Sequence, residues 1–227
     1  MTTATAEATT ILEGYVEVEC VLFLESYIAH PFWPEQSQRI DIEKKSGMNR
    51  CKSDSTRDKA LKAYLETLDL TLEDFHILKA KASRQWYRRD PDDPTSEIVI
   101  PRHHLSSCIV QTLNSAPSAI RGSYKSESVR HNIRMSDFRT GKVKCDEPLF
   151  DRYVKLEGSN QRSRQINEVI RNFKAQGTLH VEMNLQKSEN HLKLLENLFG
   201  FALKEVGIGA SRKMGYGHGK VVGLKLV

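Results

Sequence analysis

The chain has 227 residues, enough for one domain with insertions or for a tight pair of small ones, and its 39% apolar content is lean but sufficient for a core. The formal charge of +5 and a pI near 9.0 point toward a polyanionic partner. Cys20, Cys51, Cys108 and Cys145 share no C-x-x-C spacing, which argues against a zinc site or a disulfide framework, and no apolar run approaches the roughly 18 residues of a membrane helix.

Residues 1–11 are small and polar and read as a flexible tail without the basic and apolar regions of a signal peptide; a reduced, cytoplasmic protein is expected. From Leu12 to Glu25 apolar residues alternate with Glu13, Glu17, Glu19 and Glu25, the pattern of a half-buried strand. Its acidic face should turn away from any polyanion. Residues 27–97 interrupt the pattern as a first insertion. It holds the aromatic loop His30-Pro-Phe-Trp-Pro34, a helix from Arg57 to about Leu68, and Arg84-Gln-Trp-Tyr-Arg-Arg89, whose rings and cations suit either base stacking or a strand with snorkelling arginines.

Ile98-Val-Ile100 reads as a short strand. Pro101 then opens a helix with Leu105, Cys108, Ile109, Thr112 and Leu113 on one stripe. The first N–H groups of that helix, with Arg102, His103, His104 and Ser106 around them, form an anion-seeking feature. A second insertion, about 115–176, contains a basic stretch. Between Ala119 and Lys144 seven Lys/Arg, among them Arg130, Arg134, Arg139 and Lys142, face only Glu127 and Asp137, a surplus equal to the charge of the whole chain. Few apolar residues accompany them, so an extended arm or hairpin is expected. Arg162 and Arg164 continue the cationic run, followed by Ile166, Val169, Ile170 and Phe173 at helical spacing. Gly177 to Leu185 alternates again as a strand, and Leu192 to Val206 carries the stripe of an amphipathic helix.

That helix ends in Gly207-Ile-Gly209-Ala-Ser211-Arg212-Lys213-Met-Gly215-Tyr-Gly217, and a strand with Val222, Leu224 and Leu226 inward follows. Neither nucleotide-loop pattern is present, since this loop closes a helix and opens a strand. Glycines that turn N–H groups toward one point, beside two cations, suit a longer polyanion; the bland alternative is a tight turn. The order of elements matches an α+β, ferredoxin-like (RRM-like) βαββαβ core, a single domain over 12–227 with two insertions.

The glycine loop and its terminal strand resemble the RAMP superfamily of CRISPR-associated proteins. Ile100-Pro-Arg102-His103-His104-Leu-Ser106-Ser107 is similar to the I-P-G-S-S-L-K-G segment of backbone subunits in the seventh Cas family, with Arg102, His103 and His104 in place of Gly and both Ser, Ser106 in place of Lys, and Ser107 in place of Gly. The resemblance implies a subunit that binds CRISPR guide RNA beside copies of itself and other Cas subunits, for pairing with a target nucleic acid. In the family the insertions include a thumb-like hairpin. It implies RNA contacts at Arg102, His103, His104 and Ser106, along the basic stretch and Arg162 and Arg164, and in the loop from Gly207 through Gly209, Ser211, Arg212, Lys213 and Gly215 to Gly217. No cofactor or metal is expected. Two relatives in the superfamily offer rival functions. The sixth Cas family cuts repeat RNA with a His general acid–base, for which His30 with Tyr27, or His103 and His104, are candidates; the fifth caps one end of the guide. A target-cutting backbone subunit would need a loop Asp, and Asp41, Asp54 and Asp58 lie in the right region.

Overall fold

In the computed structural model, residues 15–29, 33–127, 129–155, 162–182 and 188–227 are described, with 147–155, 162–166 and 188 as backbone only; the expected tail and His30 lie outside them. Strict alternation builds β1 (Tyr15–Tyr27), in which Val18, Cys20, Leu22 and Leu24 are fully buried while Glu17 and Glu19 occupy the other face. β1 lies mid-sheet. It pairs antiparallel with β6 (Arg162–Glu182), from Tyr15 opposite Glu182 to Tyr27 opposite Ile170, and on its other edge with β7 (Gly219–Leu226). β2 (Val99–Ile100), β3 (Ile133–Met135) and β4 (Phe138–Arg139) complete that sheet in the order β2-β4-β6-β1-β7, with β3 also on β6.

Two helices supply the rest of the core. α4 (Arg102–Ser115) buries Leu105, Cys108, Ile109, Thr112 and Leu113, the stripe its spacing predicts. α7 (Ser188–Phe201) and the π-helical turn Ala202–Val206 bury Leu195, Leu198, Phe199, Ala202 and Leu203. Taken in chain order, β1, α4, the short strands β3 and β4, β6, α7 and β7 are a ferredoxin-like βαββαβ core, with β6 and β1 central.

Three local expectations are corrected. Residues 162–174 are strand, not helix: Asn172 takes φ 47°, which breaks the alternation, so that Val169, Ile170 and Phe173 are all buried and mimic helical spacing. The first half of β6 instead forms a long hairpin with β5 (Glu147–Lys155). The basic stretch is no free arm. It folds as α5 (Ser118–Arg121), α6 (Val129–Asn132), β3 and β4, because Tyr124, Val129, Ile133, Met135 and Phe138 along it are buried. Val222 faces solvent, since the register slips at Val21/Leu22 and leaves it between two paired residues.

Residues His30–Trp86 form a separate compact unit, and Met1–Ala29 with Tyr87–Val227 form the other. The described residues of the smaller unit form three α-helices where one helix was expected. They are α1 (Pro34–Lys45), α2 (Asp54–Glu66) and α3 (Leu72–Ala82), around Ile42, Leu61, Leu65 and Phe75. Local capping chemistry starts two of them: Ser53 accepts from Thr56 N–H, and Thr71 with Asp74 forms a reciprocal box.

Candidate nucleic-acid interface

The buried stripe of α4 dictates what its first turns present outward. With Leu105 and Cys108 buried, Arg102 and His103 are exposed and Ser106 is half-buried on the flank. The chain then returns through α6 and β3, placing Arg130 and Arg134 opposite them. Arg102, His103, Ser106, Ser107, Arg130 and Arg134 line one groove of about 360 Å³, floored by Ile133 and Met135. Among the described residues, Arg102 and Arg130 make no ion pair, and Arg134 lies 4.8 Å over the Tyr15 ring. Five residues expected from the sequence thus converge although 32 positions in the chain separate Arg102 from Arg134. The helix terminus itself is already capped: the Arg102 N–H donates to Asp137 Oδ1 at 2.8 Å.

Behind the groove three rings meet. His103 and His104 are 4.6 Å apart, and Tyr87 lies 5.4 Å from the first and 5.5 Å from the second, all edge-on. His104 Nδ1 is 2.7 Å from the Oη of fully buried Tyr27. Burial lowers the His104 pKa to about 4, helped by neighbouring His103 and Arg212, so the ring is neutral near pH 7. It is therefore no cationic phosphate contact. Tyr27, considered with His30 in the sequence, has His104 as its partner.

The glycine loop is tied to the protein's own backbone. Gly217 N–H donates to Ser26 O, Ala210 N–H to Ile28 O and Ile208 N–H to Gly217 O, each at 2.9 Å. A Cβ on Gly209 would collide with Ile28 O and the Tyr27 ring, and one on Gly217 with Ile208 O. Gly209 thus permits a close approach to the end of β1, and Gly217 a close approach of the loop to its own residue Ile208, as a tight turn requires. Gly207 takes φ 75° as the residue that ends the π-turn, and Gly215, at φ 88°, has open space beside it. Ser211 also takes a left-handed φ of 57°. His218 spans the loop, with Nδ1 2.8 Å from Lys204 O and Nε2 3.3 Å from Arg212 O. Arg212 reaches α4, donating to Gln111 Oε1 at 2.9 Å, while Lys213 is exposed.

Other expected contacts lie elsewhere. Arg139 is paired with Glu97 at 2.8 Å and Lys142 with Asp146 at 2.7 Å, so local carboxylates neutralise both. Arg162 and Arg164 are placed by backbone only, opposite Lys155 and Tyr153 in the hairpin. Asp41 and Asp54 pair with Lys45 and Arg57 on the helical unit's surface, and Asp58 is exposed there. Trp86 is buried, Arg84 covers Trp33 at 4.5 Å, and Arg88 donates to Val143 O at 3.1 Å, which accounts for that aromatic–basic stretch by packing. Sequence reasoning missed Tyr15, Gln111, Asp137 and His218; only His218, next to the last loop glycine, had a local signal.

A cationic groove on a ferredoxin-like α+β core defines the class. No protein-family model and no curated protein matches the chain. Among solved structures it is similar to a chain in the cryo-EM structure of the Type III-B Cmr-beta bound to cognate target RNA, at 9% identity and a TM-score of 0.47, over 94% of this chain and 61% of that one. This chain therefore spans less than two thirds of that neighbour's length. Among the described residues no helix is long and apolar enough to cross a membrane.

Proposed function

We propose that the chain is an RNA-binding CRISPR-associated protein of the RAMP type, a backbone subunit that holds guide RNA for pairing with its target, next to copies of itself and other Cas subunits. The observation that carries this reading is the groove of Arg102, Arg130 and Arg134, where two guanidiniums have no ion-pair partner among the described residues. Unpaired cations around an apolar floor suit a phosphate backbone with its bases turned inward. Supporting it are Arg212, which reaches Gln111 on α4, with exposed Lys213 beside it, and the acidic open face of β1, which leaves the polyanion to the groove.

Single-stranded RNA should bind with little sequence preference, and the logarithm of affinity should fall linearly with that of salt. Each phosphate contact contributes a slope of about −0.7. Arg130→Ala with Arg134→Ala should flatten the slope by about 1.4 and weaken binding at least tenfold, at about 1.5–3 kcal/mol per charged contact at best. Binding titrations from low to high salt on parent and variant decide this. An unchanged slope would remove the groove from the RNA path.

The second reading, metal-independent cleavage, is favoured by His103 and His104 side by side in a cationic setting. Against it, His104 gains a proton only near pH 4 and its Nδ1 is taken by a tyrosine without solvent access. Repeat-containing RNA incubated with the protein, with and without magnesium, is expected to stay full length. Site-specific products lost in His103→Ala or His104→Ala would give the function to the cleavage reading.

A further inference from the structure

We propose that the ring cluster of His103, His104 and Tyr87 is a nucleobase platform, on which one unpaired base stacks against the exposed His103 ring while its flanking phosphates lie on Arg102, Arg130 and Arg134. The inference rests on the RNA-binding reading and specifies which part of the RNA meets which residues.

Four observations support it. His103 is the exposed member of the cluster, and it lines the groove whose floor is Ile133 and Met135. An apolar floor disfavours phosphate, which loses hydration there, and favours a base or ribose. The cations stand on the walls, at Arg102 on α4 and at Arg130 and Arg134 opposite, so a backbone can follow them with a base directed inward. Finally, His103 is buttressed rather than loose: His104 and Tyr87 hold it edge-on at 4.6 and 5.4 Å, and His104 is anchored by its 2.7 Å contact to buried Tyr27. A ring held in place before binding loses little freedom when a base stacks on it. His104, neutral near pH 7, adds ring surface there instead of charge. Since the faces of a base within a duplex are already covered by its neighbours, the platform selects single-stranded over double-stranded RNA.

Charge and stacking are separated by substitution at His103, an exposed position where the fold should tolerate change. The probe is a short oligoadenylate, fluorescently labelled at one end, and the same strand annealed to oligouridylate. His103→Ala should weaken single-strand binding by about tenfold. His103→Phe, which keeps a ring and loses the titratable nitrogens, should restore it; His103→Lys, which keeps charge and loses the ring, should not. Duplex should bind more weakly than single strand to the parent, and this gap should narrow in His103→Ala. Melting curves confirm that each variant is folded. Rescue by Lys and not by Phe would make His103 a phosphate contact and overturn the platform. His103→Ala that binds like the parent would also overturn it, while leaving the RNA reading intact. A parent that binds neither probe would defeat the RNA reading itself.

Discussion

Gly217→Val is expected to prevent folding, whereas Gly215→Val should yield a folded and moderately weakened protein. Both glycines lie at positive φ, 78° and 88°, where a β-branched residue is strained by about 1–3 kcal/mol. They differ in their surroundings. A Cβ at Gly217 would run into Ile208 O, N and C, all backbone, and the same residue's N–H bonds to Ser26 O on β1. Backbone cannot swing aside as a side chain can, so relief requires Ile208 and Gly217 to part, which breaks the bond between them and pulls on the neighbouring Gly217–Ser26 and Ala210–Ile28 bonds. Lost buried hydrogen bonds at about 1–3 kcal/mol each, added to the strain, approach the 5–15 kcal/mol that stabilises a whole domain. At Gly215 nothing lies within 4 Å of the added atom, and only the strain is incurred. Arg212→Ala with Lys213→Ala should leave melting nearly unchanged, because Lys213 is an exposed charge and Arg212 gives up only one surface hydrogen bond, to Gln111. Soluble yield and thermal melting of the three variants form the test. Equal melting temperatures for Gly215→Val and Gly217→Val would show that the loop is not fastened to β1 as described.

Stability should fall on mild acidification, and His104 should be the cause. Its folded pKa of about 4 lies below the ordinary 6.5, so between those values the unfolded chain binds a proton that the folded chain refuses. The sign follows: the contribution is fully present above about pH 6.5, is lost as pH falls toward about 4, and changes no further below that. The shift corresponds to at most about 3 kcal/mol. Glu97 and Asp146 act in a lower window. Glu97, which burial pushes up but which its hydrogen bonds to Arg139 and the Gly141 N–H together hold below the usual range, and Asp146, held down chiefly by Lys142, lose their contribution as pH falls through their lowered pKa values. Denaturant unfolding of the parent between pH 7.5 and 4.5 should therefore show a decline that is flattened in His104→Gln, whatever the variant's absolute stability. Parallel profiles would place the acid sensitivity elsewhere.

Much of this molecule was legible from periodicity. Alternation at Val18, Cys20, Leu22 and Leu24 and the stripe Leu105-Cys108-Ile109-Leu113 mark buried faces, because the repeat of a strand or helix decides which side chains share a side. The same logic misled at Val169, Ile170 and Phe173, where one left-handed residue, Asn172, counterfeits a helical repeat. The clustering of basic residues at 119–144 was visible too, but its division was not. Arg130 and Arg134 reach the groove, while Arg139 and Lys142 are neutralised by Glu97 and Asp146.

The sequence by itself determined that the chain alternates strand and helix in the order of a ferredoxin-like core, that its loop glycines adopt left-handed conformations, and that its positive charge is concentrated. Only the tertiary structure decided what each of these meets. Asp137 caps α4 from 35 positions away, Tyr27 finds His104 from 77 positions away, Gly209 makes room for Ile28 O and the Tyr27 ring, and Gly217 makes room for Ile208. A residue's own period tells it which way to face; the register of distant strands alone settles which carboxylate, ring or carbonyl stands there to be faced.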